Sequence, residues 1–277
     1  MEGRVIKIIS NQFTVKTNEN KYLCNASGNL RKLRHSPLVG DFVIFDENKK
    51  FIKSILPRKN SLVRPPVSNI DNALIVTSVC IPDFSSNLLD KLLCITEYNN
   101  IKPIICFTKM DKLNNEKQEE IKKIMDYYKK IGYKVFDNTQ IDKLKEELKG
   151  KVTVLTGQTG AGKSTLLNKI DSRLNLKTGD VSIALGRGKH TTRHVELLET
   201  CDGLIADTPG FSSLEFYDMS KESIRDNFIE FNEYREKCKY KDCMHDMEND
   251  CVIKKMVSEK VILNSRYENY LNFIKKV

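Results

Sequence analysis

What the chain lacks narrows its class. No apolar run approaches the ~18 residues that a helix needs to cross a bilayer. Glu2 stands where a secretion signal would carry positive charge, and no small-residue cleavage site follows an apolar stretch. A cytoplasmic protein without membrane contact is therefore expected. There is no C-x-x-C pair, which argues against a dithiol redox centre, and no internal repeat or low-complexity tract. With 40% hydrophobic and 30% charged residues, the composition is that of a globular chain and excludes wholesale disorder. Its 277 residues exceed the usual domain of roughly 100–150, so more than one core is expected.

The net charge of +9 is unevenly placed. Residues 1–64 carry thirteen Lys and Arg against five Asp and Glu, whereas 65–222 carry 22 of each and 223–277 carry eleven against ten. A small basic module beside neutral ones points to a polyanion contact, because phosphate neutralisation is the commonest use of such a surplus. Solubility alone is the plainer alternative. The module alternates in short bursts, RVIKII, QFTVKT, KYLCNA, DFVIFD and FIKSIL, with turn residues between them. Five short strands in about sixty residues predict a small OB-like β-barrel. Arg31, Lys32, Arg34 and His35 cluster between strands, on a loop suited to RNA phosphates. Arg64-Pro65-Pro66 cannot continue a sheet ladder and marks the first boundary.

From residue 71 the pattern changes. ALIVTSV, KPIICFTK, YKVFDN, KVTVLTG and GLIADTPG are apolar runs of the kind buried in parallel sheets. Helical stretches at 87–100, 114–131 and 141–149 separate several of them, so a doubly wound α/β domain is predicted. After residue 222 the strands stop, and helical patterns at 221–237 and 252–276 flank a cysteine cluster.

Gly157-Gln158-Thr159-Gly160-Ala161-Gly162-Lys163-Ser164 fits G-x-x-x-x-G-K-[ST], follows the strand KVTVL and precedes the helix-compatible STLLNKI, in which Thr165 follows Ser164. The glycines let backbone N–H groups cradle phosphate oxygens. Lys163 offers a cation to the β- and γ-phosphates and Ser164 a hydroxyl to Mg²⁺. A chance glycine-rich turn would not need that strand–helix context. The loop alone does not separate ATP from GTP.

Thr108-Lys109-Met110-Asp111 follows the strand PIICF. A carboxylate there can accept both guanine N1–H and the exocyclic amine, which adenine cannot reciprocate, and Lys109 can lay its aliphatic stem along the base. Asp207-Thr208-Pro209-Gly210 closes GLIA; Asp207 can hold Mg²⁺ through water and the Gly210 N–H can reach a γ-phosphate. Between these motifs, Gly186–Arg193 is glycine-rich and cationic, the composition of a switch loop. Thr192, rather than Thr191, is expected to ligate Mg²⁺ there, by analogy with the T-R pair found in GTPases.

Of eight cysteines, Cys24, Cys80, Cys94, Cys106 and Cys201 are scattered and read as small buried hydrophobes. Cys238, Cys243, His245 and Cys251 fall within fourteen residues. Three thiolates and an imidazole complete a tetrahedral Zn²⁺ shell with no place for water, so a structural metal is expected. Unligated thiols are the alternative.

The order T-K-x-D, phosphate loop, H-T-T, D-T-P-G resembles the circularly permuted GTPases. With the basic barrel in front and the Cys/His tail behind, the chain closely resembles the bacterial ribosome small-subunit-dependent GTPase A family over essentially its full length. The resemblance implies an OB-fold at 1–64, a permuted GTPase domain at 65–222 and a zinc domain at 223–277. It also implies binding to the small (30S) subunit and its rRNA late in maturation, with hydrolysis stimulated by the subunit. A monomer is the default expectation. Three departures stand out. Thr108 replaces the usual Asn of the guanine motif, which is expected to remove a contact supporting the loop. No S-A motif is recognisable in Phe136–Gln140. Phe211 stands where many GTPases place a water-orienting Gln, so unaided hydrolysis is expected to be slow, and His190 is the candidate for positioning water or charge. A P-loop nucleotide kinase and a non-catalytic RNA-binding adaptor are the competing readings; GTP preference and turnover separate them.

Overall fold

The computed structural model describes residues 1–27, 36–63, 65–176, 195–207 and 215–277, and at Asp207 only the backbone. The basic cluster Arg31, Lys32, Arg34 and His35, the loop 186–193 with His190, Thr191 and Thr192, and Thr208, Pro209, Gly210 and Phe211 lie outside the described residues.

Strands β1 (Glu2–Ile9), β2 (Gln12–Lys16), β3 (Lys21–Ala26), β4 (Phe42–Asp46) and β5 (Phe51–Ile55) close a barrel. Its ring runs β1-β2-β3-β5-β4 and returns to β1, with β3 and β5 parallel and the other neighbours antiparallel. Alternation sends Val5, Phe13, Val15, Cys24, Val43, Phe45 and Ile52 inward to one small core, as a half-buried strand requires. A short hairpin, β6 (Ser61–Leu62) with β7 (Val67–Ser68), follows and carries Pro65 and Pro66 in its turn.

The second unit is a sheet of order β10-β9-β8-β11-β13-β12, made of β8 (Asn72–Ser78), β9 (Lys102–Thr108), β10 (Lys134–Asp137), β11 (Val152–Gly157), β12 (Glu196–Thr200) and β13 (Gly203–Asp207). All neighbours are parallel except β12, which runs antiparallel to β13. The helices are α1 (Ser86–Tyr98), α2 (Asn115–Lys130), α3 (Ile141–Leu148) and α4 (Lys163–Ile170). Ser85 and Asn114 cap the first two by accepting the N–H of Leu88 and Lys117. Successive residues of β8 and β9 feed opposite layers. Leu74, Val76, Ile104 and Cys106 pack with Leu144, Leu148, Leu166 and Leu167 of α3 and α4, while Ile75, Ile105 and Phe107 pack with Leu89, Leu92 and Leu93 of α1. Burial on both faces explains why these strands read as unbroken apolar runs. β12 was not expected: VELLET carries Glu196 and Glu199, and the strand pairs with β13 on one side and with β1 of the barrel on the other.

The tail corrects two helical expectations. Instead of one helix over 221–237 there is α5 (Lys221–Asp226) and then single 3₁₀ turns at Ile229–Phe231 and Arg235–Lys237. Instead of one over 252–276 there are α6 (Val252–Ser258) and α7 (Asn264–Ile274), separated where Lys260 takes a left-handed backbone (φ 60°). The helices are closed locally: the Asn227 side-chain amide turns back to the Ser223 carbonyl, and behind the left-handed Lys260 the Val261 N–H returns to the Met256 carbonyl. Phe228, Phe231, Tyr270 and Phe273 are buried in the same core as α1. Of the scattered cysteines, Cys24, Cys94 and Cys106 are buried as expected, and Cys80 and Cys201 only half-buried. No helix among the described residues is long and apolar enough to cross a membrane.

Candidate nucleotide site and metal cluster

The phosphate loop leaves the buried end of β11 and turns into α4 through three left-handed glycines, Gly157 (φ 129°), Gly160 (φ 78°) and Gly162 (φ 87°). A Cβ at Gly157 would meet the Val76 carbonyl oxygen at 2.0 Å, so only glycine lets the loop start this close to β8. Ala161 is buried, Gln158 and Ser164 are half-buried, and Thr159 and Thr165 face solvent. The Lys163 ammonium folds onto the carbonyls of Gly157 (2.9 Å) and Gln158 (2.8 Å), placing its charge at the centre of the loop. The Ser164 hydroxyl, in the first turn of α4, has no hydrogen-bond partner among the described residues.

Forty-six residues earlier in sequence, the T-K-x-D segment comes to this loop directly. Thr108 ends β9 buried, and its hydroxyl donates to the Ala161 carbonyl at 2.6 Å. Threonine at this position thus still ties the segment to the phosphate loop, through its one hydroxyl proton. Lys109 is left-handed (φ 65°), and its ammonium donates to the Gly160 carbonyl at 2.8 Å and to the carbonyl of Ile81. Its stem is thereby held along the mouth of the loop. Met110 and Asp111 begin a 3₁₀ turn, Met110–Lys112, in which the Asp111 carboxylate is exposed and has no partner among the described residues. Ile81 was missed in the sequence reading. Only the carbonyl takes part, so side-chain type carried no signal.

Two further expected elements end at this edge of the sheet. Asp207 closes β13 in register with Leu155 of β11, and β10 leads into Asn138, whose N–H donates to the Phe107 carbonyl at 2.9 Å. The Asn138 Oδ1 is buried without a partner among the described residues, in the segment where no base-contact motif was recognisable.

In the tail, the ligand atoms of Cys238, Cys243, His245 and Cys251 all lie within 4.8 Å of one another. The imidazole turns Nδ1 inward, 3.4 Å from the Cys251 sulfur and 3.8 Å from that of Cys238. Such spacings are those of sulfur and nitrogen around one tetrahedral ion. Burial pushes the Cys243 thiol up to about 12 and the His245 imidazole down to about 4. The imidazole is thus neutral at pH 7 and able to donate its lone pair, while the thiols yield protons to a cation placed among them. The donor set fits a structural metal.

A phosphate loop, a guanine-type motif preceding it in sequence, and a parallel sheet entered at its middle define a circularly permuted GTPase fold. A solved structure described as "YloQ, a circularly permuted GTPase" superposes with a TM-score of 0.83 at 35% identity, covering 99% of this chain and 94% of that one. The structure of YjeQ from Thermotoga maritima gives 0.84 at 32%, covering 99% and 97%. Family models match as RsgA N-terminal domain over residues 2–51 and as RsgA GTPase over 55–217. Small ribosomal subunit biogenesis GTPase RsgA 1 of Listeria monocytogenes is 47% identical, covering 100% of this chain and 97% of the relative. The RsgA of Latilactobacillus sakei is 45% identical, covering 98% and 94%. The chain belongs to the RsgA GTPase family.

Proposed function

We propose that this protein is a GTP hydrolase that binds the small ribosomal subunit and its rRNA late in maturation and leaves on hydrolysis. The observation that carries the reading is the pair of hydrogen bonds, from Thr108 to Ala161 and from Lys109 to Gly160, which join the guanine-type motif to the phosphate loop. Relatives bearing the name small ribosomal subunit biogenesis GTPase supply the cellular context.

In this reading Asp111 accepts from guanine and Lys109 lies along the base. The N–H groups of 157–165 hold the phosphates, and the Lys163 ammonium moves from the loop carbonyls to the β- and γ-oxygens. Magnesium would be held by Ser164 and Thr192, with Asp207 acting through water, and supplies charge neutralisation of the phosphates. Gly210 answers to the γ-phosphate, and His190 helps position the attacking water, since Phe211 cannot. Residues 1–64, 65–222 and 223–277 act as rRNA-binding barrel, GTPase unit and zinc-holding tail of a cytoplasmic monomer. Turnover of GTP and ATP with and without purified small subunits tests this: stimulated hydrolysis of GTP alone is expected, and equal turnover with and without subunits overturns it. An Asp111→Asn variant should lose guanine preference while keeping its fold.

A further inference from the structure

We infer that the cleft between the barrel and the GTPase sheet is a second anion site, which takes the phosphate monoester of a small molecule. The cleft is a cavity of about 970 Å³. Arg4, Tyr22 and Phe42 line it from the barrel, and Lys151, Asp202 and Gly203 from the sheet. β11 runs from this cavity at Val152 to the phosphate loop at Gly157. The cleft and the nucleotide site therefore lie at opposite ends of one strand, roughly 17 Å apart at ~3.3 Å per residue.

Arg4 is the residue that points to a ligand. Val5 fills the barrel core, so Arg4 faces outward, and Phe42 is its cross-strand partner on β4. The guanidinium stacks on the Phe42 ring at 4.2 Å, which leaves its N–H groups to be satisfied around its edge. Among the described residues no acceptor meets them, although the side chain is half-buried. Burial disfavours its charge, and the Asp71 carboxylate offsets this only in part. Asp71 is itself occupied, by the Lys59 ammonium and by the Val152 N–H at 2.7 Å. Lys151 acts on the same carboxylate, and it is exposed with no ion pair among the described residues. Other cations of the barrel are taken: Lys7 by Glu196, and Lys16 and Lys21 by Glu199. The half-buried Tyr22 hydroxyl also has no partner among the described residues. A planar fork, an ammonium and a phenol thus line one cavity uncommitted. A carboxylate offers two oxygens to such a set, and a nucleic-acid phosphodiester two free ones. A monoester offers three, with a charge of roughly −1.5 to −2. The lining also opposes a polymer. Glu2, Glu19 and Asp202 are exposed there without an ion pair among the described residues, and would repel a strand of phosphates.

The test uses the full-length protein saturated with GDP, so that the phosphate loop is occupied. Inorganic phosphate or glycerol phosphate is added, and NMR follows the amides of Gly3, Gly150 and Gly203, three glycines of the cavity wall. Saturable shifts at all three are expected. Arg4→Met keeps an apolar stem over Phe42 and should weaken binding about tenfold or more, the loss of a charged hydrogen-bond donor. Lys151→Met should weaken it about threefold, as an exposed charge does. GDP affinity is the folding control for both, and the Lys151 variant decides alone should Arg4→Met fail it. Unsaturable shifts, unchanged affinity in the variants, or an equal response to acetate at the same ionic strength overturns the inference. So do shifts confined to Gly157, Gly160 and Gly162, which would report the phosphate loop. Displacement of the phosphate by a short oligouridylate would give the cleft to RNA and overturn it as well.

Discussion

Lys7 of the barrel and Asp207 of the GTPase sheet lie on opposite sides of Glu196, each in register with it, so one line of pairing crosses from β1 through β12 to β13. The Lys7 ammonium also holds the Glu196 carboxylate at 2.7 Å. Further along β12, Glu199 takes both Lys16 and Lys21 at 2.8 Å. The strand that joins the barrel to the sheet is thus the one that lies between the switch-type loop and Asp207. Barrel orientation and the geometry at Asp207 share a mechanical element.

The Glu199 clasp should be weak, ionic and separable. Lys16 and Lys21 hold its carboxyl down to about 2 from the usual 4.5. A depressed carboxyl stabilises the folded state fully above about 4.5, and that contribution fades as pH falls toward 2. The group is about half exposed, so screening limits the gain to roughly 1 kcal/mol or less. Glu199→Gln should lower Tm by about 2–4 °C at pH 7 in low salt. The difference should vanish in ~1 M salt, where the Debye length is ~3 Å. Calorimetry giving the same difference in high salt would remove the ionic account.

Thr108→Val tests the join between the two nucleotide motifs. The swap keeps the shape of a buried side chain and deletes the proton that reaches the Ala161 carbonyl. An unsatisfied buried acceptor costs about 1–3 kcal/mol, here charged to the loop that holds phosphate. Guanine-nucleotide affinity should therefore fall about 5- to 100-fold, read with a fluorescent GDP analogue, while Thr108→Ser should lose much less. Equal affinity in wild type and valine variant would mean that the loop is held by other contacts.

Where chemistry demands contiguous residues, the sequence was enough. The phosphate-loop and guanine-type motifs are contiguous residues at set spacing, and strands buried on both faces must be apolar throughout, so the strand–loop–helix turn at 157–164, the end of β9 at 108–111, and β8, β9 and β11 were legible. β12 was not, because Glu196 and Glu199 interrupt its apolar pattern for the sake of partners in another unit. The same pairing explains why the basic surplus of residues 1–64 misleads as a measure of free charge. The tail's breaks were illegible because neither glycine nor proline marks them: Asn227 and the left-handed Lys260 close the helices. The pairing of Asp90 with Arg266 spans 176 residues, and no local pattern announces it.

That pairing fastens the tail. Arg266, 1% exposed, donates to both Glu230 oxygens at 2.7 and 2.6 Å and to Asp90 at 2.9 Å, while Asn269 and Tyr128 also donate to Asp90. Arg266→Ala would leave two carboxylates buried without a cation, and burial already pushes the Asp90 carboxyl up. A loss of about 3–5 kcal/mol is expected. Arg266→Lys should recover little of it, since one ammonium cannot reproduce the planar fork. Denaturant melts that place Arg266→Ala within about 1 kcal/mol of wild type would show the network to be dispensable. The arrangement also bears on nucleotide coupling: a tail anchored this way moves with α1 rather than swinging free of the GTPase unit.

Metal removal should therefore reach beyond the tail. A fifty-residue metal knot with its own small core would unfold alone and spare guanine binding. Here, however, Cys243 and Cys251 belong to the same core as Ile75, Leu93 and Val154. The backbone between the ligands is tied to α7, with Tyr267 donating to the His245 carbonyl at 2.7 Å and Tyr270 to that of Met244. Phe231 meets the imidazole edge-on at 5.6 Å. Strong chelation should release about one zinc per chain and lower the stability of α1 and β8 together with the tail, visible as faster amide exchange in both. Cys251→Ser should reproduce the effect with no chelator present. If elemental analysis finds no zinc, or if exchange quickens in 223–277 while α1 keeps its protection, the ion is not what holds this shared core together.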